Sequence, residues 1–241
     1  EVSSQGIKMH RTDGLYFNYA IFTNISPDHI GPGEHADFEE YLYYKTRLLN
    51  MCGIGLVNKD DEHAPQIIKA ANCELYTYSE ESKEADFVAS DIRYVSQPDF
   101  VGTEFHISGK YDMEVRLGIP GLFNVVNALA AVSVCSFLGL DQARISHALE
   151  NIRVNGRMEI VYTSERCTVL VDYAHNAVSM ESLLSTLRDY KPKRLVCVFG
   201  CGGNRSKDRR YSMGEIGGKM ADLSILSLIH ISEPTRLRRI S

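Results

Sequence analysis

The chain has 241 residues, 44% of them hydrophobic and 24% charged, with a formal net charge of -5. That is enough for one large domain or two ordinary ones of a soluble globular protein. The acidic balance, with no basic stripe and no interleaved aromatics, excludes a general nucleic-acid binder. No apolar run reaches the roughly 18 residues that a membrane-crossing helix needs. Six cysteines lie mostly inside apolar runs and form no C-x-x-C pair, which predicts reduced thiols, a cytoplasmic location and no zinc site. The opening Glu1-Val-Ser-Ser has neither an initiator Met nor a basic leader, as expected of an internal segment.

In chain order, residues 16–24 read as a strand ending in the polar loop Ser26-Pro-Asp-His-Ile30. Residues 38–49 have helical spacing, with Tyr41, Tyr44, Leu48 and Leu49 among the apolar positions. A short strand over 53–58 closes in the charged turn Lys59-Asp60-Asp61-Glu62, and 67–71 reads as a short helix. From 73 to 115, short β-type runs alternate with turn residues and predict an antiparallel excursion from the main sheet. A strongly apolar helix over 124–138 is stopped by Gly139, and a second, over 141–151, takes Asp141 as its N-cap. Gly156-Arg157-Met-Glu159 breaks the pattern, which places a domain boundary near 153–157.

A new strand–loop–helix series starts at Thr168, with helices over 179–190 and 211–220 and a third strand over 223–226. Its first two strands, Val169-Leu-Val-Asp-Tyr-Ala-His-Asn176 and Val196-Cys-Val-Phe-Gly-Cys-Gly-Gly-Asn-Arg-Ser-Lys207, are apolar runs ending abruptly in polar residues. That is the pattern of buried parallel strands delivering loops to a ligand. Ligands gather at the carboxyl ends of strands in an open α/β sheet, so Asp172, His175, Asn204 and Arg205 are expected to face one crevice. Arg205, Lys207, Arg209 and Arg210 suit an anion such as phosphate. A basic cluster alone is more often a solvated loop; two strand ends with matching chemistry reverse that preference. About 70 residues with an open sheet cannot bury a stable core alone, so truncation at both ends is expected.

The two loops closely resemble the carboxy-terminal domain of the Mur ligase family, in its diamino-acid-adding MurE branch. The resemblance covers nearly all of 1–226. It implies an α/β protein: a central P-loop-type ATPase domain over 1–155, without its phosphate loop, then the start of a Rossmann-like ligase domain over 156–226. No G-x-x-x-x-G-K-[ST] occurs, and in this family that loop lies upstream of E-V-S-S. Residues 227–241 fit no preceding rhythm, resemble translated adapter sequence, and are expected to be non-native and exposed.

The resemblance also implies roles. Glu1, His29 and Lys45 look like ligands to Mg²⁺ beside the γ-phosphate of ATP, with Lys45 and His29 in the catalytic centre. Lys45 matches a lysine carbamylated in this family, and a carbamate offers the anionic oxygen that an ammonium lacks. Singly, each has a bland reading: a chain end, a surface histidine, a solvated lysine. Ser3 and Arg11 sit where the branch contacts its nucleotide-sugar substrate, although Met9 replaces a common Gln. Asn127 matches the Asn that reaches adenine, with Asn124 one turn earlier as a possible N-cap. Arg157 resembles a hinge arginine that meets ATP on domain closure, and Asp172 and His175 approach the nucleotide from the second domain.

The resemblance implies an ATP-dependent amide ligation carried out in the cytoplasm by a monomer. It joins a diamino acid, meso-diaminopimelate or L-lysine, to UDP-N-acetylmuramoyl-L-alanyl-D-glutamate, with no nucleic acid and no membrane insertion. A sister ligase of the MurF, folylpolyglutamate or cyanophycin type remains open, as does an inactive module that keeps only the fold.

Overall fold

A computed structural model describes residues 1–27, 30–200 and 207–227, with side chains outside the description at 207–210. The chain divides into two compact units.

The first unit comprises residues 1–93, 103–118 and 123–152. It opens with the short helix α1 (Ser4–Lys8) and strand β1 (Phe17–Phe22). Helix α2 (Phe38–Thr46) starts where the Asp37 side chain accepts from the Glu40 N–H, and it tightens into a 3₁₀ turn over Arg47–Asn50. Then follow β2 (Cys52–Asn58), α3 (Ala64–Ala70), β3 (Glu74–Ser79), β4 (Phe87–Ser96), β5 (Val101–Gly109) and β6 (Met113–Leu117). Helices α4 (Leu122–Phe137) and α5 (Gln142–Glu150) close the unit, with Asp141 capping α5 as the sequence predicts.

The six strands form one sheet in chain order. β1, β2 and β3 run parallel, in register Tyr19↔Ile54 and Ile54↔Glu74. The antiparallel excursion begins later than the sequence predicts, because β4 still pairs in parallel with β3, through Tyr78↔Phe87 and Ser79↔Val88. Within this sheet β5 and β6 pair antiparallel, in register Phe105↔Val115. Short β-type runs between turns carry no mark of strand direction, which is why the alternation misled.

Strand alternation sends the two residue sets to opposite faces. Ala20, Phe22, Val57 and Leu75 pack with Tyr41, Leu49 and Ile67 from the α2–α3 side. Tyr19, Tyr76 and Phe87 meet Phe137 of α4, at ring separations of 6.1, 4.7 and 5.7 Å. Gly55 is required on the α2–α3 face: a Cβ there would lie 2.8 Å from the Cys73 Sγ and the Leu75 Cδ2.

The second unit comprises residues 94–102, 119–122 and 153 onward. Its elements are β7 (Glu159–Thr163), β8 (Thr168–Val171), α6 (Ala177–Asp189), β9 (Val196–Gly200), α7 (Lys207–Met220) and β10 (Leu223–Ser227). Two expectations need correction. β7 follows directly on the Gly156 break and pairs antiparallel with β8, so β8 belongs to a hairpin. β9 pairs in parallel with β10 in a separate two-stranded sheet. Helix α6 starts at Ala177, earlier than 179, because Asn176 and Ser179 form a capping box. Met180, Leu184, Leu195 and Met213 make the core of this unit. Arg188 donates to the Met220 carbonyl and to Asp222, whose carboxylate also accepts from the Leu195 N–H at 2.6 Å. The tail expectation for 228–241 lies outside the described residues.

Candidate active site

Lys45 sits half-buried in the last turn of α2. Its Nζ donates to the Asn24 carbonyl at 3.2 Å and lies 5.5 Å from the centroid of the Tyr41 ring. Burial lowers its pKa from the usual lysine value, and the Asp61 carboxylate opposes that shift in part. The neutral amine is thereby easier to reach than on an exposed lysine.

The segment facing Lys45 is held residue by residue as it leaves β1. The Tyr78 hydroxyl donates to the Phe22 carbonyl at 3.0 Å, and the Asn58 Nδ2 to the Thr23 carbonyl at 3.0 Å. The Asp61 Oδ2 accepts from the Ile25 N–H at 2.8 Å, while Oδ1 accepts from the His63 N–H at 2.9 Å. His29, a sequence candidate for metal binding, lies outside the described residues.

Helix α1 is tied to α2 by a second network. The Ser4 Oγ and the His35 Nε2 are 2.9 Å apart, and His35 is fully buried between Tyr41 and Tyr44. Lys8 Nζ donates to Glu40 at 2.8 Å and to the Glu34 carbonyl at 3.0 Å. The Lys8 hydrogen bond holds the Glu40 carboxyl below its ordinary range, helped by the Ala36 N–H. Glu1 precedes this helix and is exposed. The Ser3 Oγ accepts from the Gly6 N–H at 3.0 Å as an N-cap, so its hydroxyl already has a structural partner. Arg11 is exposed, with its guanidinium 3.4 Å from the Met9 sulfur.

Asn124 cannot be the N-cap of α4, because the helix starts at Leu122; it is half-buried, and Asn127 is exposed one turn on. In the second unit, Arg157 lies over the Tyr173 ring at 4.9 Å, and the Tyr173 ring meets that of His175 at a tilt, with centroids 5.2 Å apart. Asp172 accepts from the Met158 N–H at 2.9 Å and the Ala174 N–H at 2.8 Å, which fixes the turn that carries these rings. Arg157, Asp172 and His175 are therefore brought together. Asn204 and Arg205 lie outside the described residues.

Sequence reasoning missed Asp61, His35 and Tyr173. Tyr173 stood inside the quoted motif and was passed over; the other two depend on contacts across 31 to 36 residues. Among the described residues no cluster of three His, Cys, Asp or Glu side chains is poised for a metal. The ammonium of Lys45 is a donor and cannot itself bind a cation, so a magnesium site here requires its chemical conversion.

The Mur ligase middle-domain family model matches residues 1–135, and the Mur ligase, glutamate ligase domain model matches residues 156–239. The chain belongs to the Mur ligase family. Among curated Mur ligases, the UDP-N-acetylmuramoyl-L-alanyl-D-glutamate–2,6-diaminopimelate ligase of Alkaliphilus oremlandii is 38% identical over 238 residues. The ligase of the same name from Caldanaerobacter subterraneus is 35% identical over 233 residues. Each match covers 94% of this chain and 46% of the relative, so the chain spans about half the length of these enzymes. A solved structure of a ligase of that name superposes with a TM-score of 0.75 at 30% identity, over 94% of this chain and 47% of the other. A MurF ligase from Thermotoga maritima, solved in complex with ADP, shares the fold with a TM-score of 0.66 at 14% identity, over 93% and 51%. None of the described helices is long and apolar enough to cross a membrane.

Proposed function

We propose that this chain is part of an ATP-dependent ligase that joins a diamino acid to UDP-N-acetylmuramoyl-L-alanyl-D-glutamate. The observation that carries the reading is identity of 35–38% along 94% of the chain to ligases named for that reaction with 2,6-diaminopimelate. Residues 1–155 serve as the ATP-binding portion, 156–226 as the start of the ligase domain, and 227–241 as a non-native end.

In this reading the substrate's γ-carboxylate takes the terminal phosphoryl group of ATP, releasing ADP. The amine of the diamino acid then attacks the acyl carbon, and phosphate leaves as the amide forms. Lys45 acts after its neutral Nζ attacks carbon dioxide: an N–C bond forms, one proton goes to solvent, and a carbamate anion remains. That carbamate, with Glu1 and His29, would hold Mg²⁺, and the bound ion would supply positive charge against the transferring phosphoryl group. The low-pKa amine of Lys45 and its seat beside the Asn24 carbonyl support this role. Asn124 and Asn127 serve the adenine, Arg157, Asp172, His175, Asn204 and Arg205 the rest of the nucleotide, and Ser3 and Arg11 the nucleotide sugar.

The test is a chimera in which this chain replaces the matching segment of the Alkaliphilus oremlandii enzyme. Ligation dependent on ATP and a diamino acid is expected. Lys45→Ala should lower kcat by about a hundredfold or more, with partial rescue by a short carboxylic acid. Unchanged kcat removes Lys45 from the site; a folded chimera that accepts only other amino acids points to a sister ligase.

A further inference from the structure

Asp61 lies in a run of charges that leaves β2, yet its side chain is only 6% exposed. Both carboxylate oxygens are spent on backbone N–H groups, Ile25 at 2.8 Å and His63 at 2.9 Å. The first of these crosses to the exit of β1, one residue beyond the carbonyl that receives Lys45. Asn58, three residues earlier on the same strand end, holds the Thr23 carbonyl on the other side. The Asn24 carbonyl is thus bracketed by two side chains from one turn. A carbonyl free to rotate would release Lys45; one pinned on both sides cannot.

We propose that Asp61 is a positioning residue for Lys45: by fixing the peptide at Ile25 it aims the Asn24 carbonyl at Nζ. This rests on the reading of Lys45 as the carbamylated lysine. Carbamylation leaves a single N–H on Nζ. The Asn24 carbonyl is its fixed acceptor, so the direction of that bond sets the direction of the carbamate oxygens. Asp61 then acts as the outer partner of a metal-binding group, orienting it without touching the ion.

Asp61→Asn tests this with almost no change in shape. A carboxamide has one acceptor oxygen, so one of the two N–H groups must face an NH₂. In the ligase that carries the full chain, the variant should need about tenfold more Mg²⁺ for half-maximal rate. Its carbamate signal in ¹³C NMR with labelled bicarbonate should weaken, while the protein stays folded at the assay temperature. Asn58→Ala should shift both readouts in the same direction. Unchanged Mg²⁺ dependence and an unchanged carbamate signal in folded Asp61→Asn overturn the proposal. So does failure of both variants to fold, which would make the bracket purely architectural. Absence of a carbamate signal in the unsubstituted protein, or full activity in Lys45→Ala, instead sinks the reading of Lys45 on which the proposal stands.

Discussion

Strands β2 and β9 read alike in the sequence, Cys-Gly-Ile-Gly-Leu-Val-Asn against Val-Cys-Val-Phe-Gly, yet they meet different surroundings. In β2, Leu56 and Val57 are fully buried, one toward each face of a six-stranded sheet. In β9, Val196 is 45% and Val198 66% exposed, in a sheet of two strands. An apolar run records what a strand can bury; how much it does bury depends on how many layers close over it. The same contrast separates the two candidate clusters. Lys45 donates to the Asn24 backbone carbonyl beside the buried Tyr41 ring, whereas Arg157 lies over the Tyr173 ring, which tilts against His175 at an exposed turn.

The widest separation between the two strands should come from truncating them. Leu56→Ala is expected to cost about 2–5 kcal/mol, the range for a fully enclosed aliphatic side chain. Val198→Ala should change stability by no more than about 0.5 kcal/mol, as for an exposed position. Denaturant melts of both variants decide it, and equal losses would erase the distinction.

A smaller effect probes the second unit through its turn. Asn176 accepts from the Ser179 N–H at 2.8 Å, and Ser179 returns a bond to the Asn176 backbone. Asn176→Ala should destabilise by about 1 kcal/mol. If α6 relied on packing alone, thermal melting would show no change.

Much of the architecture was legible because it is local. Asp141 stands just before its helix and was read as its cap, and the strand–helix–strand order of β1, α2 and β2 follows from apolar periodicity. Strand direction after β3 was not legible, since Tyr78 and Ser79 pair with Phe87 and Val88 through only two residues. β7 was hidden because Gly156-Arg-Met-Glu159 looks like a break while Glu159 already starts a strand. The candidate site divides in the same way. Lys45 stood out as a candidate only through the family resemblance. Asp61 did not stand out, because a charge run reads as a solvated turn, and only the fold shows one of its carboxylates turned inward to backbone 36 residues away.

The smallest expected effect lies beside that turn. Glu80 follows β3, where its N–H donates to the Asp60 carboxylate at 2.9 Å. Burial, then the neighbouring Asp60 and Glu81 charges, push its pKa from 4.5 up to about 6. A raised carboxyl pKa means the folded state binds the proton more tightly than the unfolded one. Stability contributed by the protonated form is therefore present below 4.5 and is lost as pH rises through about 6. Above that, the folded protein carries an unfavourable carboxylate that Glu80→Gln removes. The variant should melt higher than the unsubstituted chain at pH 7.5, by less than about 1 kcal/mol because solvent screens the site. The difference should shrink through the window between 6 and 4.5 and disappear below it. A gain that persists at pH 4 would assign the effect to the amide's hydrogen bonding and leave the buried charge without a role.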